Sequence, residues 1–184
     1  MRILGISGSL RHGSYNTALL REAAELAPAG VELELYEGLE LLPPYNEDDD
    51  GPDGPVEGAR LRAAIAAADA LLIATPEYNG SIPGQLKNAV DWASRPARAG
   101  ALWGKPVAVV GATTGSYGAI WAQADLRRSL GIAGARVLEA ELPVARAHER
   151  FDEAGRLRDE QLRERLAGVV LELAAAAEPV PVAA

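Results

Sequence analysis

Apolar positions along the chain follow two periods. Five short apolar runs predict β-strands at 2–7, 31–36, 69–75, 106–111 and 136–139. In the third, Ala70-Leu71-Leu72-Ile73-Ala74 is unbroken, as is Val107-Ala108-Val109-Val110 in the fourth. A strand that is apolar on both sides is buried on both faces, the mark of a parallel sheet covered by helices. Between these runs the period becomes helical. Tyr15, Leu19, Ala23 and Leu26 share one face, as do Leu61, Ile65 and Ala68. Leu162, Leu166, Val169, Val170 and Leu173 form the stripe of the last helix. Because strand and helix alternate, the chain predicts an open, doubly wound α/β sheet with right-handed crossovers.

Residues 43–58, PPYNEDDDGPDGPVEG, break the pattern: they are rich in Pro, Gly and acid and have no period. Asp48-Asp49-Asp50 lies within them. Consecutive acids in a flexible loop read as a solvated run, and divalent sites need spaced oxygen ligands that converge. No metal is expected. The tail 178–184 is expected to fray, leaving 1–177 as one domain.

Composition narrows the function classes. A length of 184 residues suits a single domain. With 48% hydrophobic but 5% aromatic residues, the core must be mainly Ala, Leu, Val and Ile. A net charge of −8 argues against a nucleic-acid partner, whose phosphates need Lys and Arg. The absence of cysteine removes disulfides, thiolate zinc sites, iron–sulfur clusters and cysteine nucleophiles. No run approaches the ~20 apolar residues of a membrane helix, and Met1 to Gly5 is too short an apolar start for a signal peptide. A cytoplasmic protein with no membrane partner is expected.

In doubly wound sheets, ligands bind at the carboxyl ends of the strands. Three loops fall there, at 8–16, 76–84 and 112–118, all rich in Gly, Ser, Thr and Asn. In the first, Gly8 and Gly13 permit turns that a β-carbon would obstruct. Ser9, Ser14, Asn16 and Thr17 offer polar groups, and the next helix presents unpaired N–H groups and its positive dipole end. Arg11 adds a charge able to fork onto phosphate oxygens. A phosphate monoester suits this loop; a Ser/Gly turn capped by Ser14 is the other reading. The loop lacks the Gly-Lys-Ser/Thr of a Walker loop and the spacing of a dinucleotide fingerprint. Gly5-Ile6-Ser7-Gly8-Ser9 narrowly misses a nucleophile elbow. In the second loop, Pro76-Glu77-Tyr78-Asn79-Gly80 is a polar turn holding an aromatic, suited to a flat ring. Pro83 can start the helix after it, with Leu86, Val90 and Ala93 buried.

At this point the sequence resembles the NAD(P)H-dependent FMN reductases, which include bacterial quinone, azo-dye and chromate reductases. Their long signature P-E-Y-N-G-S-I-P-G-x-L-K-N-A-x-D-W stands intact from Pro76 to Trp92, and G-S-L-R-x-x-S-x-N from Gly8 to Asn16. Phe151-Asp152-Glu153-Ala154-Gly155-Arg156-Leu157 resembles the segment before the family's last helix. The resemblance implies a flavodoxin-like five-stranded parallel sheet in the order 2-1-3-4-5, with helices on both faces. It implies that Ser9, Arg11, Ser14, Asn16 and Thr17 hold the 5′-phosphate of FMN. Pro76, Glu77, Tyr78, Asn79 and Gly80 would flank the ring and ribityl chain, and Thr113, Gly115, Ser116 and Gly118 would lie along the pyrimidine edge. The family often continues its third loop with glycine and a basic residue, whereas Ala119-Ile120-Trp121 follows here. Trp121 either shapes the acceptor pocket or packs within its helix, and packing is the expectation for so large a side chain.

The implied activity is transfer of a hydride from NADPH or NADH to bound FMN, then of electrons to a quinone, azo, nitro, metal-oxyanion or flavin acceptor, in ping-pong order. The flavin carries that chemistry, and no catalytic acid or base is assigned. His12 and His148 are the two histidines, and neither is placed as a base. The resemblance also implies a homodimer or homotetramer. A flavodoxin-type FMN electron carrier that does not use nicotinamide is the alternative; its acidity would suit a basic partner. A flavin-fold module without cofactor is a third reading, opposed by the intact phosphate loop.

Overall fold

The computed structural model describes residues 1–178; of the tail expected to fray, residues 179–184 lie outside the described residues. The order along the chain is β1 (Arg2–Ser7), α1 (Tyr15–Glu25), β2 (Glu32–Leu35), α2 (Val56–Ala67), β3 (Ala70–Thr75), α3 (Gly84–Ala93), β4 (Pro106–Ala112), α4 (Ile120–Ile132), β5 (Arg136–Val144), the short α5 (Ala147–Arg150) and α6 (Glu160–Ala177). All neighbouring strands are parallel, in the order β2-β1-β3-β4-β5. This is the flavodoxin-like arrangement the resemblance implies.

Burial explains the layers. Every residue of β3 and β4 is buried. Their side chains alternate: Ala70, Leu72, Val110 and Ala112 face a core shared with Leu19 and Leu20 of α1 and Leu166, Val170 and Leu173 of α6. Leu71, Ile73, Val107 and Val109 face Leu61 and Ile65 of α2, Leu86 and Val90 of α3 and Leu126 and Leu130 of α4. Strands covered on both sides cannot place polar groups within their length, so any polar site is pushed to their ends.

Two segments differ from the sequence reading. The last strand runs to Val144, five residues past its expected end. Its register slips where Val107 pairs with Val137 but Val109 with Glu141. That bulge and the polar Glu139 and Glu141 obscure the strand in sequence. β5 lies at the sheet edge, where Pro143 costs no ladder bond. The second difference is the acidic segment, which is tied down. Tyr45 N–H donates to Asn88 Oδ1 at 2.7 Å, and Trp92 Nε1 and Asn88 Nδ2 donate to the Pro43 carbonyl at 2.9 and 2.8 Å. Gln85 Nε2 donates to the carbonyls of Leu39 and Leu42 at 2.6 and 2.9 Å. Asp50 approaches Arg62 Nη2 to 2.7 Å, a close contact of charges rather than an aligned hydrogen bond. Gln85, Asn88 and Trp92 of the long signature therefore serve the fold.

Trp92 is 1% exposed and meets Tyr45 edge-on, with ring centroids 5.0 Å apart. A β-carbon on Gly58 would lie 2.9 Å from its indole. Trp92→Ala is expected to destabilise the protein by about 3–5 kcal/mol in urea unfolding. A loss below 1 kcal/mol would show that this contact is not part of the core.

Candidate functional site

The loops after β1, β3 and β4 meet at one end of the sheet. Gly8 sets how closely the first approaches the second: a β-carbon there would lie 2.7 Å from Leu86 Cδ2 and 3.4 Å from Pro76 Cδ. The Gly8 N–H donates to the Ala74 carbonyl at 2.8 Å.

In the first loop, Ser14 caps α1. Its Oγ accepts from the N–H groups of Asn16 and Thr17 at 3.2 and 3.4 Å. Gly13 takes φ +69°, the left-handed region. Among the described residues, none accepts a hydrogen bond from the N–H groups of Arg11, His12, Gly13, Ser14 or Tyr15. These five consecutive donors, beside the positive end of α1, suit an anion. Arg11 folds over the turn, with Nη2 3.1 Å from the Gly13 carbonyl and its guanidinium 5.8 Å from the Tyr15 ring centroid. Asn16 is buried and turned inward: Nδ2 donates to the Ala112 carbonyl at 3.0 Å, and Ala112 N–H donates to Oδ1 at 2.9 Å. It clamps the first loop to the third. Thr17 Oγ1 lies 2.8 Å from Ser7 Oγ, and the partly buried Ser9 N–H donates to Ser7 Oγ at 3.4 Å.

The second loop is a tight hairpin. Tyr78 and Ser81 exchange backbone hydrogen bonds at 3.0 and 3.2 Å, and the central Asn79 and Gly80 have φ of +54° and +76°. Asn-Gly is the pair that such a two-residue turn demands. It lifts Tyr78 to 53% exposure. Pro76 is buried beneath it against Gly8. Glu77 does something that no local pattern announces. α4 begins after Ala119, which has no side-chain cap. Glu77 Oε2, 44 residues earlier, accepts from the N–H groups of Trp121 and Ala122, both at 3.1 Å. A carboxylate there satisfies two orphan donors and opposes the helix dipole. Ser81 makes a second tie, its Oγ donating to Asp125 Oδ2 at 2.6 Å. That bond, ahead of the Arg128 contacts, holds the Asp125 carboxyl below its usual range against a smaller opposing effect of desolvation.

The third loop hangs from β5. Thr113 N–H donates to the Val144 carbonyl, Ala147 N–H to the Thr113 carbonyl and Arg146 N–H to the Gly115 carbonyl, at 3.0, 2.9 and 2.9 Å. Gly115 N–H donates to Thr113 Oγ1 at 3.2 Å. Gly118 takes φ +62°, and a β-carbon on it would lie 2.7 Å from Pro143. The buried Gln123 holds the Gly118 carbonyl through Nε2 at 2.9 Å.

All the residues expected at the site are on these three loops or the first turn of α1. Their side chains divide. Ser9, Arg11, Tyr78, Asn79 and Ser116 are exposed or half-buried, whereas Asn16, Thr17, Pro76 and Glu77 engage the scaffold and Thr113 Oγ1 accepts from Gly115 within its own loop. Trp121 corrects an expectation: it is 48% exposed, leaning on the exposed Tyr117 with centroids 4.9 Å apart. In the first turn of α4, Ala122 and Gln123 take the buried side while Ile120 and Trp121 fall on the side facing water, so the indole has no core to enter. Gln123 and Asp125 were not anticipated. The one sequence signal was an evident helix preceded by Ala119, a residue that cannot cap it.

The model of the family described as NADPH-dependent FMN reductase matches residues 1–149. An NAD(P)H-dependent FMN reductase of Pseudomonas aeruginosa is 47% identical over 165 residues, 89% of this chain and 88% of its own. A quinone reductase of Pseudomonas putida is 40% identical over 155 residues, 84% and 83% of the two chains. Among solved structures, a flavoenzyme NAD(P)H:(acceptor) oxidoreductase from Paracoccus denitrificans superposes with a TM-score of 0.83 at 36% identity, covering 96% of each chain.

Glu77→Ala is expected to cost about 0.5–2 kcal/mol, as lost helix caps do. Glu77→Gln, which keeps an oxygen acceptor, should cost less; equal losses in urea unfolding would contradict the capping role. The Asp125 pKa is depressed in the folded state. Its stabilisation is therefore present above the ordinary carboxylate range and fades as pH falls through the lowered value. Ser81→Ala should raise that pKa toward normal in an NMR titration; no movement would show that Ser81 is not the cause.

Proposed function

This chain belongs to the NADPH-dependent FMN reductase family and is an FMN-dependent NAD(P)H oxidoreductase; we propose that its three strand-end loops hold the flavin. The observation that carries the assignment of the phosphate is the run of unpartnered N–H groups from Arg11 to Tyr15, backed by the α1 dipole and the Arg11 charge. These donors fit the terminal phosphate of FMN, with Ser9, Ser14, Asn16 and Thr17 around it. The hairpin residues Pro76 to Gly80 flank the ring and ribityl chain, and Thr113, Gly115, Ser116 and Gly118 meet the pyrimidine edge. Much of this contact is through backbone, since several of the side chains are already engaged in the scaffold.

Bound FMN supplies the redox chemistry, accepting a hydride from NAD(P)H and returning two electrons to a second substrate. The protein binds and orients the ring and presents backbone N–H groups of the third loop to the charge that develops along its edge. With FMN held in these loops, donor and acceptor would use the same site in turn, which would give ping-pong kinetics. The acceptor is a small molecule of the quinone, azo, nitro, metal-oxyanion or flavin kind. The flavin-binding unit is 1–177. Use of a nicotinamide donor supports a cytoplasmic location, and no helix among the described residues is long and apolar enough to cross a membrane. A homodimer or homotetramer is supported by a cleft of about 560 Å³ between α3 and α4, beside which Trp103 and Ile132 stand 52% and 76% exposed.

Apoprotein is expected to bind FMN at least about tenfold more tightly than riboflavin, which lacks the phosphate. Arg11→Ala should remove about tenfold of FMN affinity, as one charge-assisted bond is worth. Fluorescence titration checks both, and equal affinity for the two flavins would overturn the phosphate assignment. Initial-rate lines at several acceptor concentrations should run parallel; intersecting lines would exclude ping-pong order. Light scattering should give a multiple of 19.3 kDa, not the monomer mass.

A further inference from the structure

Half of the large hydrophobic side chains exposed among the described residues stand at the site's end of the sheet: Leu10, Tyr78, Tyr117, Ile120 and Trp121. Of the other five, Trp103 and Ile132 line the cleft between α3 and α4, and Leu41, Val56 and Leu171 stand elsewhere. Apolar surface gathered on adjoining loops, rather than spread singly, marks a place where something apolar is met.

Within this group Tyr117 and Trp121 form a pair. Their ring centroids are 4.9 Å apart and their planes inclined by 58°, with exposures of 61% and 48%. They are inclined rather than stacked flat, so each keeps a face toward solvent. Elsewhere guanidinium groups sit over aromatic rings, Arg11 on Tyr15, Arg62 on Trp92 and Arg95 on Tyr45. Among the described residues, none covers Tyr117 or Trp121.

The pair is also held firmly. Gly118 and Ala119 both take left-handed conformations, with Gly118 pressed against Pro143, which fixes the turn between the two aromatics. Glu77 grips the Trp121 N–H at 3.1 Å, and it is followed directly by Tyr78 in the hairpin. The backbone that carries the indole is thus tied to the loop assigned to the flavin ring. An aromatic surface on a held backbone, beside a flat cofactor, suits a flat partner, because offset or edge-on ring contacts add to simple burial.

We propose that Tyr117 and Trp121 are the specificity-determining wall for the second substrate, selecting flat, uncharged aromatic acceptors of the naphthoquinone type over inorganic acceptors with no ring to stack. The inference rests on the FMN reading above. NAD(P)H depends on the wall less, because its dinucleotide makes contacts beyond the nicotinamide.

The test uses the FMN-loaded protein and two acceptors, a naphthoquinone and ferricyanide. In Trp121→Ala the ratio of kcat/KM for naphthoquinone to that for ferricyanide is expected to fall about tenfold, through KM for the quinone. Trp121→Phe, which keeps a ring, should restore most of the ratio. A readout without turnover accompanies it. Naphthoquinone titrated into the oxidised holoenzyme should quench tryptophan fluorescence in wild type and in Trp103→Phe, but not in Trp121→Phe. An unchanged ratio in Trp121→Ala would overturn the proposal. So would an equal loss with both acceptors, or a fall in assembled mass without a change in the ratio, which would make the pair a subunit contact. Failure of wild type to hold FMN is a separate result: it would overturn the flavin reading itself and this wall with it.

Discussion

Burial of β3 and β4 on both faces is the constraint on which the rest depends. Their thirteen residues leave no polar side chain free along the sheet. Even Thr75 turns its hydroxyl onto the Pro76 carbonyl at 2.8 Å. Polar chemistry is thereby expelled to the strand ends, and the parallel arrangement gathers three carboxyl-end loops on one side. The site follows from the hydrophobic effect acting on the middle of the chain.

Loops so displaced would be mobile without ties, and this chain supplies them at long range. Asn16 binds the first loop to the end of β4, Glu77 and Ser81 bind the second to α4, and the Thr113 and Gly115 carbonyls bind the third to the segment after β5. Net hydrogen bonds contribute about 0.5–1.5 kcal/mol each. A handful therefore suffices to set loop geometry without dominating stability. The ties also explain why so many residues of a functional signature face inward. The scaffold leaves the backbone N–H groups of residues 11–15 open, and these, more than side chains, are the contacts proposed for the anion.

The parallel sheet and the three loops were legible in the sequence because their signals are local: continuous apolar runs, helical stripes, glycines and an Asn-Gly turn; the strand order came only from the family resemblance carried by the motifs at 8–16 and 76–92. What escaped was non-local. The continuation of β5 through Val144 is hidden by a bulge and by charged residues that an edge strand can carry. The Glu77 cap joins positions 44 residues apart and leaves no periodic trace. Asn16 was expected as a ligand from its place in a motif, and only the fold shows its amide paired with Ala112. Trp121 was expected to pack by its size, yet its position at the first turn of α4 leaves it in water. Residue type sets what a side chain can do, and tertiary placement decides what it does.

Electron transfer from a nicotinamide to bound FMN is the activity this fold serves. Its most direct test is to mix the FMN-loaded protein with NADPH, and separately NADH, without oxygen and follow the flavin absorbance in a stopped-flow instrument. Rapid bleaching with at least one of the two is the expected result. Firmly bound FMN that keeps its colour with both would contradict the account, leaving a flavin carrier in place of a reductase.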